Sequence, residues 1–112
     1  MNKIVVITGA TGGYGLATAK KFKEQGDVVI VASRNEEKVN RVVTEFGFDA
    51  GFVIDVTDYS RWVALKEYIM TAYGRIDVLV NNAGISQIKL FTDLTGMNPT
   101  QYRHVNSGRE KP

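Results

Sequence analysis

The sequence has no cysteine, a single histidine, two prolines and one tryptophan among its 112 residues. The absence of cysteine excludes a disulfide scaffold and thiolate metal sites, and a single histidine excludes an imidazole cluster. The longest apolar runs, Ile4–Ile7 and Val28–Ala32, are far shorter than the roughly 20 residues of a membrane-spanning helix. The 14 basic and 12 acidic residues give a net charge of +2 without forming a basic stripe. We therefore expect neither a nucleic-acid nor a membrane partner.

The residues that are present favour one α/β domain. An apolar content of 44% with 23% charged residues supports a hydrophobic core rather than disorder. Short β-branched runs alternate with longer segments of helical spacing, and four runs are predicted as strands: Ile4–Ile7, Val28–Ala32, Ala50–Ile54 and Ile76–Val80. Runs that are apolar at every position are typical of parallel strands covered on both faces. We predict a Rossmann-like, doubly wound parallel sheet with the strand order 3-2-1-4.

Polar residues and glycines mark the ends of the predicted helices. Asn35 and Asp58 are predicted to cap the second and third helices, because their side chains can accept hydrogen bonds from the first helical N–H groups. Gly26, Gly47 and Gly74 are predicted to end the three helices in turn.

A glycine-rich turn follows the first strand and opens the first helix. Gly9 permits the tight turn, Gly13 lies where a backbone approaches a ligand, and Gly15 allows close packing of helix on strand. Free N–H groups at the helix N-terminus would bind an anion. The strand–turn–helix context favours a dinucleotide over an ordinary turn, and the missing Gly-Lys-Ser/Thr ending disfavours a nucleotide triphosphatase. The candidate cofactor-binding residues of this turn are Gly9, Thr11, Gly12, Gly13, Tyr14 and Gly15.

The end of the second strand bears on the choice of cofactor. An acidic residue there would bind the ribose diol of NAD, but this chain has Ser33 and Arg34. Arg34 can stack on adenine and pair with a 2′-phosphate, and the hydroxyl of Ser33 can add a hydrogen bond. NADP is therefore preferred over NAD. The alternative interpretation is that Arg34 is a solvated loop charge, with Glu36 and Glu37 close by in the sequence.

Three motifs, taken in order, resemble those of the classical short-chain dehydrogenases/reductases. The first is the T-G-x-x-x-G-x-G pattern at Thr8–Gly15. The second is Asp55-Val56 after the third strand, and the third is Asn81-Asn82-Ala83-Gly84 after the fourth. Each motif lies at the carboxyl end of a predicted strand, where open α/β sheets bind their ligands.

This resemblance implies a binding role for five further residues. Asp55 would hydrogen-bond the adenine amino group, and the Val56 backbone would meet the adenine ring. The turn that contains Asn81, Ala83 and Gly84 would line the ribose of the cofactor. The reaction implied is hydride exchange between a nicotinamide and a carbonyl or alcohol.

The catalytic part of the family pattern is absent from the sequence. The family uses a Tyr whose pKa is lowered by a Lys four residues later, together with a preceding Ser, because a phenol with a pKa near 10 is a poor general base. None of the five tyrosines has a lysine at that spacing. Asn106 is similar to the family's helix Asn that organises a catalytic water, and we take it as the candidate catalytic residue. The alternative is that it is a polar residue in a loose tail.

The resemblance thus extends over residues 1–95, which we predict to form a truncated, NAD(P)-binding Rossmann half-domain. For residues 96–112 we predict a poorly ordered or short helical tail. Three interpretations stay open: the NADP(H)-binding part of an oxidoreductase, a non-catalytic nucleotide-binding or interaction module, and an inactive remnant of truncation. The apolar fourth strand, Ile76–Val80, is expected to have an exposed edge, so we expect self-association there or through the segment 85–106. We predict no metal site, and without a signal peptide after Met1 we expect a cytoplasmic protein.

Overall fold

The computed structural model describes residues 2–55, 58–81 and 103–106 of the chain. The described elements follow one another in the order β1 (Ile4–Thr8), α1 (Gly13–Glu24), β2 (Val28–Ser33), α2 (Glu36–Phe46), β3 (Ala50–Val53), α3 (Tyr59–Tyr73), β4 (Val78–Asn81) and β5 (Arg103–Asn106). The strands form one sheet in the order β3-β2-β1-β4-β5, and every pair is parallel. The predicted order of the first four strands, and the α/β fold class, are confirmed.

Strand β5 was not expected from the sequence. It pairs with β4 from Val78↔Arg103 to Asn81↔Asn106, so the prediction of an exposed β4 edge is wrong. The physical reason is that an unpaired edge strand leaves backbone N–H and C=O groups without partners. Strand β5 supplies these partners to β4. Residues 103–106 therefore form a strand instead of part of a frayed or helical tail. The rest of the segment 96–112 lies outside the described residues.

The core lies on both faces of the sheet. Side chains of β1 alternate between the two faces, so that Val5 and Ile7 pack with residues of α1 and α2, while Ile4 and Val6 pack with residues of α3. All of β1 is buried, which explains why its sequence is apolar without alternation. Trp62 is fully buried and is the largest of the core side chains.

The predicted ends of α2 and α3 are found in the structure. The side chain of Asn35 accepts a hydrogen bond from the N–H of Lys38 at 3.0 Å, and Asp58 accepts one from Ser60 at the same distance. Both helices end at a glycine with positive φ, 72° at Gly47 and 83° at Gly74. Local sequence thus determines where these two helices begin and end.

Aspartates bind the backbone at the N-terminal edge of the sheet. Each precedes a strand and accepts a hydrogen bond from a neighbouring backbone N–H: Asp27 from Lys3 (3.1 Å), Asp49 from Val29 (2.8 Å) and Asp77 from Ile4 (2.7 Å). These carboxylates therefore fix the start of the strands. The opposite, C-terminal edge carries the candidate site. Within the described ranges, no helix has the length and apolar character that crossing a membrane requires.

Candidate dinucleotide site

The turn after β1 has the conformation that its glycines allow. Gly9 (φ 68°) and Gly13 (φ 58°) adopt left-handed backbone angles that side chains with a Cβ disfavour. The N–H of Gly9 donates to the carbonyl of Ala32 at 2.8 Å, which ties the turn to β2. A Cβ placed at Gly12 or Gly13 would meet no atom within 4 Å. Open space therefore lies directly against this part of the backbone.

Helix α1 begins without any of the groups that compensate the positive end of a helix. Its N-cap is Gly12, no side chain caps it, and its first turn holds no acidic residue. By contrast, α2 has Asn35 as its cap with Glu36 and Glu37 in the first turn, and α3 has Asp58. The first N–H groups of a helix have no intrahelical acceptor, and the helix dipole favours negative charge there. The N-terminus of α1 is therefore suited to an anion such as a phosphate group.

The remaining candidates of this turn differ in exposure. Gly15 is buried where α1 packs on the sheet, whereas Thr11 is half-buried. Tyr14 is 73% exposed, an unusual position for a large aromatic ring. Tyr14 directly follows Gly13, so it lies at the same end of α1 as the open space beside Gly12 and Gly13.

The end of β2 places Ser33 and Arg34 at the same edge of the sheet. Ser33 is half-buried and pairs in register with Val53 of β3, and Arg34 follows as an exposed residue. Neither Glu36 nor Glu37 forms an ion pair with Arg34. Instead these two carboxylates lie in the first turn of α2, where they stabilise the helix dipole.

The segment after β3 brings Asp55 to this edge. The N–H of Ile54 donates to the carbonyl of Ser33 at 2.8 Å, so the chain remains joined to β2 just before Asp55. The carbonyl of Asp55 then accepts a hydrogen bond from the N–H of Asp58 at 2.8 Å, which ties Asp55 to the start of α3. Asp55 itself is exposed. Val56 lies outside the described residues.

The other half of the edge is formed by β4 and β5. In register, Thr8 pairs with Asn81, which in turn pairs with Asn106, so the ends of three neighbouring strands are level. The resemblance implies a helical position for Asn106, and the structure differs from it. Backbone pairing with β4 holds this residue in a strand. Ala83 and Gly84 lie outside the described residues.

Among the tyrosines, Tyr73 shows a shifted pKa. Burial raises the pKa of its phenol above the ordinary value, nearby Tyr68 and Asp49 raise it further, and Lys23 opposes them. A raised pKa makes the phenol a weaker candidate for proton transfer near neutral pH. In the part of the chain that the structure describes, no three His, Cys, Asp or Glu side chains are grouped as a metal site would require.

Comparison with known proteins decides the family. The family described as short chain dehydrogenase matches residues 3–108. The chain belongs to the short-chain dehydrogenase family. The resemblance carried by the three motifs is thereby confirmed.

Relatives of this chain include proteins named as an oxidoreductase and as a putative ketoacyl reductase. The chain is 39% identical over 107 residues to the uncharacterized oxidoreductase YvrD of Bacillus subtilis, a match that covers 93% of this chain and 40% of that protein. It is 42% identical over 98 residues to the monensin polyketide synthase putative ketoacyl reductase of Streptomyces virginiae, covering 84% of this chain and 38% of that protein. The chain thus spans less than half the length of these relatives.

Solved structures of the family have the same fold. The actinorhodin polyketide ketoreductase with NADPH superimposes with a TM-score of 0.76 at 28% identity, covering 84% of this chain and 46% of that chain. The 3-ketoacyl-(acyl-carrier-protein) reductase of Brucella melitensis, complexed with NADH, gives a TM-score of 0.68 at 36% identity. That second match covers 74% of this chain and 34% of the other. Neighbours in the family are therefore found with either dinucleotide.

Proposed function

We propose that this chain is the NADP(H)-binding portion of a short-chain oxidoreductase. A bound nicotinamide would supply hydride exchange with a carbonyl or alcohol. The observation that carries the proposal is the uncapped N-terminus of α1 at the same sheet edge as the exposed Arg34. An anion-binding helix end and an exposed guanidinium at the same sheet edge suit a dinucleotide with an additional phosphate.

The pyrophosphate of the dinucleotide would lie against the start of α1. Gly12 and Gly13 leave open space there, and their backbone can approach the phosphate oxygens closely. Gly9 and Gly15 shape the turn, and the half-buried Thr11 could add a hydroxyl hydrogen bond. The exposed ring of Tyr14 would then lose solvent contact when the cofactor binds.

The adenosine half would lie across the ends of β2 and β3. Arg34 would pair with the 2′-phosphate and stack on adenine, and Ser33 would donate from its hydroxyl. Asp55 would accept a hydrogen bond from the adenine amino group, with the Val56 backbone against the ring. The end of β2 has Ser33 and Arg34 in place of an acidic residue that could bind a free ribose diol. This difference favours NADP over NAD.

The nicotinamide half would lie toward β4 and β5. We assign Asn81, Ala83 and Gly84 to the ribose and keep Asn106 as a candidate near the reacting end. No tyrosine has the lysine that lowers its pKa, so the 112-residue chain is expected to bind cofactor without efficient turnover. The names of the relatives, among them a putative ketoacyl reductase, favour a carbonyl compound as the substrate of a complete enzyme.

Calorimetric titration of the purified chain with NADPH and with NADH tests the proposal. We expect tighter binding of NADPH. Replacing Arg34→Ala should weaken NADPH binding about tenfold, equivalent to roughly 1.4 kcal/mol, and leave NADH binding unchanged. The matched control is Arg41→Ala, an exposed arginine on α2 away from the strand ends.

The outcomes separate the interpretations. Equal affinities of the parent for NADPH and NADH would refute the cofactor preference. Binding of neither would favour an inactive remnant. If the chain binds NADPH and also oxidises it in the presence of a carbonyl substrate, the proposed lack of turnover is refuted. The same result refutes the interpretation as a non-catalytic binding module.

We further propose that the chain is cytoplasmic and self-associates through the segment 85–106. Among the strands that the structure describes, β5 is the outermost beside β4, and an outermost strand can pair with another copy. Light scattering across a wide concentration range should show a dimer or a larger species. A monomer at all concentrations would refute this association.

A further inference from the structure

Arg61, in the first turn of α3, binds the end of β3. Its guanidinium donates two hydrogen bonds to the carbonyl oxygen of Val53, from Nε at 3.1 Å and from Nη2 at 2.7 Å. The contact spans eight residues and joins the helix to the strand that precedes it. Two donors on one acceptor fix both the position of the carbonyl and the orientation of the arginine plane.

The Val53 carbonyl needs this partner. In a parallel strand, the backbone groups of successive residues point to opposite sides. The N–H of Ile54 donates to β2, so the carbonyl of Val53 points to the outer side of β3, which is the last strand of the sheet within the described residues. An outer carbonyl without a partner would depend on water alone, and Arg61 replaces water with a fixed donor.

Aromatic packing holds the arginine in place. The guanidinium carbon of Arg61 lies 4.7 Å from the centroid of the Phe52 ring, and that ring lies 5.9 Å from the ring of Tyr68. Arginine stacks on aromatic faces while it donates from its edge, which lysine cannot do in the same geometry. The side chain is half-buried, so the contact is partly shielded from solvent.

Arg61 lies beside the segment that carries Asp55. Hydrogen bonds fix this segment at three places in succession: Arg61 donates two to the Val53 carbonyl, the Ile54 N–H donates one to Ser33, and the Asp55 carbonyl accepts one from Asp58. Loss of the Arg61 hydrogen bonds would release the chain two residues before Asp55. We infer that Arg61 is a positioning residue for Asp55 and thus for the adenine end of the dinucleotide, an inference that rests on the proposed function.

The test uses adenosine 2′,5′-bisphosphate, which contains the adenine end without the nicotinamide. Its affinity is measured by calorimetry for the full chain and for Arg61→Ala, Arg61→Lys and the control Arg41→Ala. We expect Arg61→Ala to weaken binding about tenfold and Arg61→Lys to restore part of it, since one donor can still reach the carbonyl. Circular dichroism checks that each variant retains the parent's helix content.

A double-mutant cycle separates positioning from a general effect on folding. If Arg61 acts through Asp55, Arg61→Ala should cost little further affinity in a chain that already carries Asp55→Ala. A folded Arg61→Ala chain with the parent's affinity would overturn the inference, and so would independent, additive losses in the cycle. If Arg61→Ala does not fold, Arg61→Lys replaces it in the same cycle and is judged by the same criteria.

Failure of the proposed function gives a different result. In that case the parent chain itself binds neither adenosine 2′,5′-bisphosphate nor NADPH. A parent that binds both ligands, with variants that bind equally well, contradicts only the role of Arg61.

Discussion

Gly51 in β3 gives the sharpest test of how this fold is packed. A Cβ at this position would clash with Cγ1 of Val39 and would lie 2.9 Å from Cγ2 of Val43, both on α2. Ordinary van der Waals contact begins at 3.4 Å, so neither valine can keep its place. We therefore expect Gly51→Ala to push α2 away from the sheet.

The cost of this substitution follows from overpacking. Forcing an extra methyl group against side chains that are already packed costs about 1–3 kcal/mol. Alanine also reduces the freedom of the unfolded chain, which offsets about 0.4–1 kcal/mol. The midpoints of these ranges leave a net loss of about 1.3 kcal/mol, which corresponds to a fall in Tm of roughly 5–10 °C for a domain of this size. Thermal unfolding followed by circular dichroism at 222 nm measures it.

The double variant Gly51→Ala/Val39→Ala provides the control. Val39→Ala alone leaves a cavity and should cost about 2 kcal/mol, as is typical of buried aliphatic truncations. In the double variant the new methyl group occupies part of that cavity, so the total loss should be smaller than the sum by about 1 kcal/mol. A Tm of Gly51→Ala equal to the parent's, or strictly additive losses, would refute the packing argument.

Three further perturbations test local features of the fold. Asn35→Ala removes the cap of α2 and should lower the free energy of unfolding by about 1 kcal/mol in urea titrations, whereas Asn35→Asp should not. Asp77→Ala removes the acceptor of the Ile4 N–H and should cost about 1–3 kcal/mol, with Asp77→Asn closer to the parent because an amide oxygen can still accept. The raised pKa of Tyr73 means that above about pH 10 the unfolded chain releases this proton more readily than the folded chain. Stability should therefore fall as the pH rises through that range, and the fall should be smaller in Tyr73→Phe; an identical pH dependence in both chains would contradict the shift.

Much of the fold could be predicted because its signals are local. The apolar runs of β1 and β2 follow from burial on both faces, and the structure extends each run by one polar residue, Thr8 and Ser33. The caps of α2 and α3 follow from side chains that hydrogen-bond the backbone a few residues away. The turn glycines are predictable for the same reason, since Gly9 and Gly13 require angles that other residues disfavour.

The role of Arg61 could not be predicted in this way. A single arginine in the first turn of a helix is typical of a solvated surface, and nothing in its sequence neighbourhood indicates a bond to the preceding strand. Gly51 likewise resembles any glycine within a strand until α2 is placed against it. The roles of Arg61 and Gly51 both depend on the distance between two elements, and hydrophobic periodicity does not specify that distance.

The class of fold, the order of the first four strands and the family are already encoded in the amino-acid sequence, because apolar periodicity, caps and the motifs at strand ends lie within short segments. The pairing of β5 with β4 and the contact of Arg61 with the end of β3 become visible in the folded chain alone. These contacts join segments through backbone groups, whose hydrogen-bonding capacity is the same at nearly every residue. Their partners are therefore chosen by the geometry of the assembled sheet.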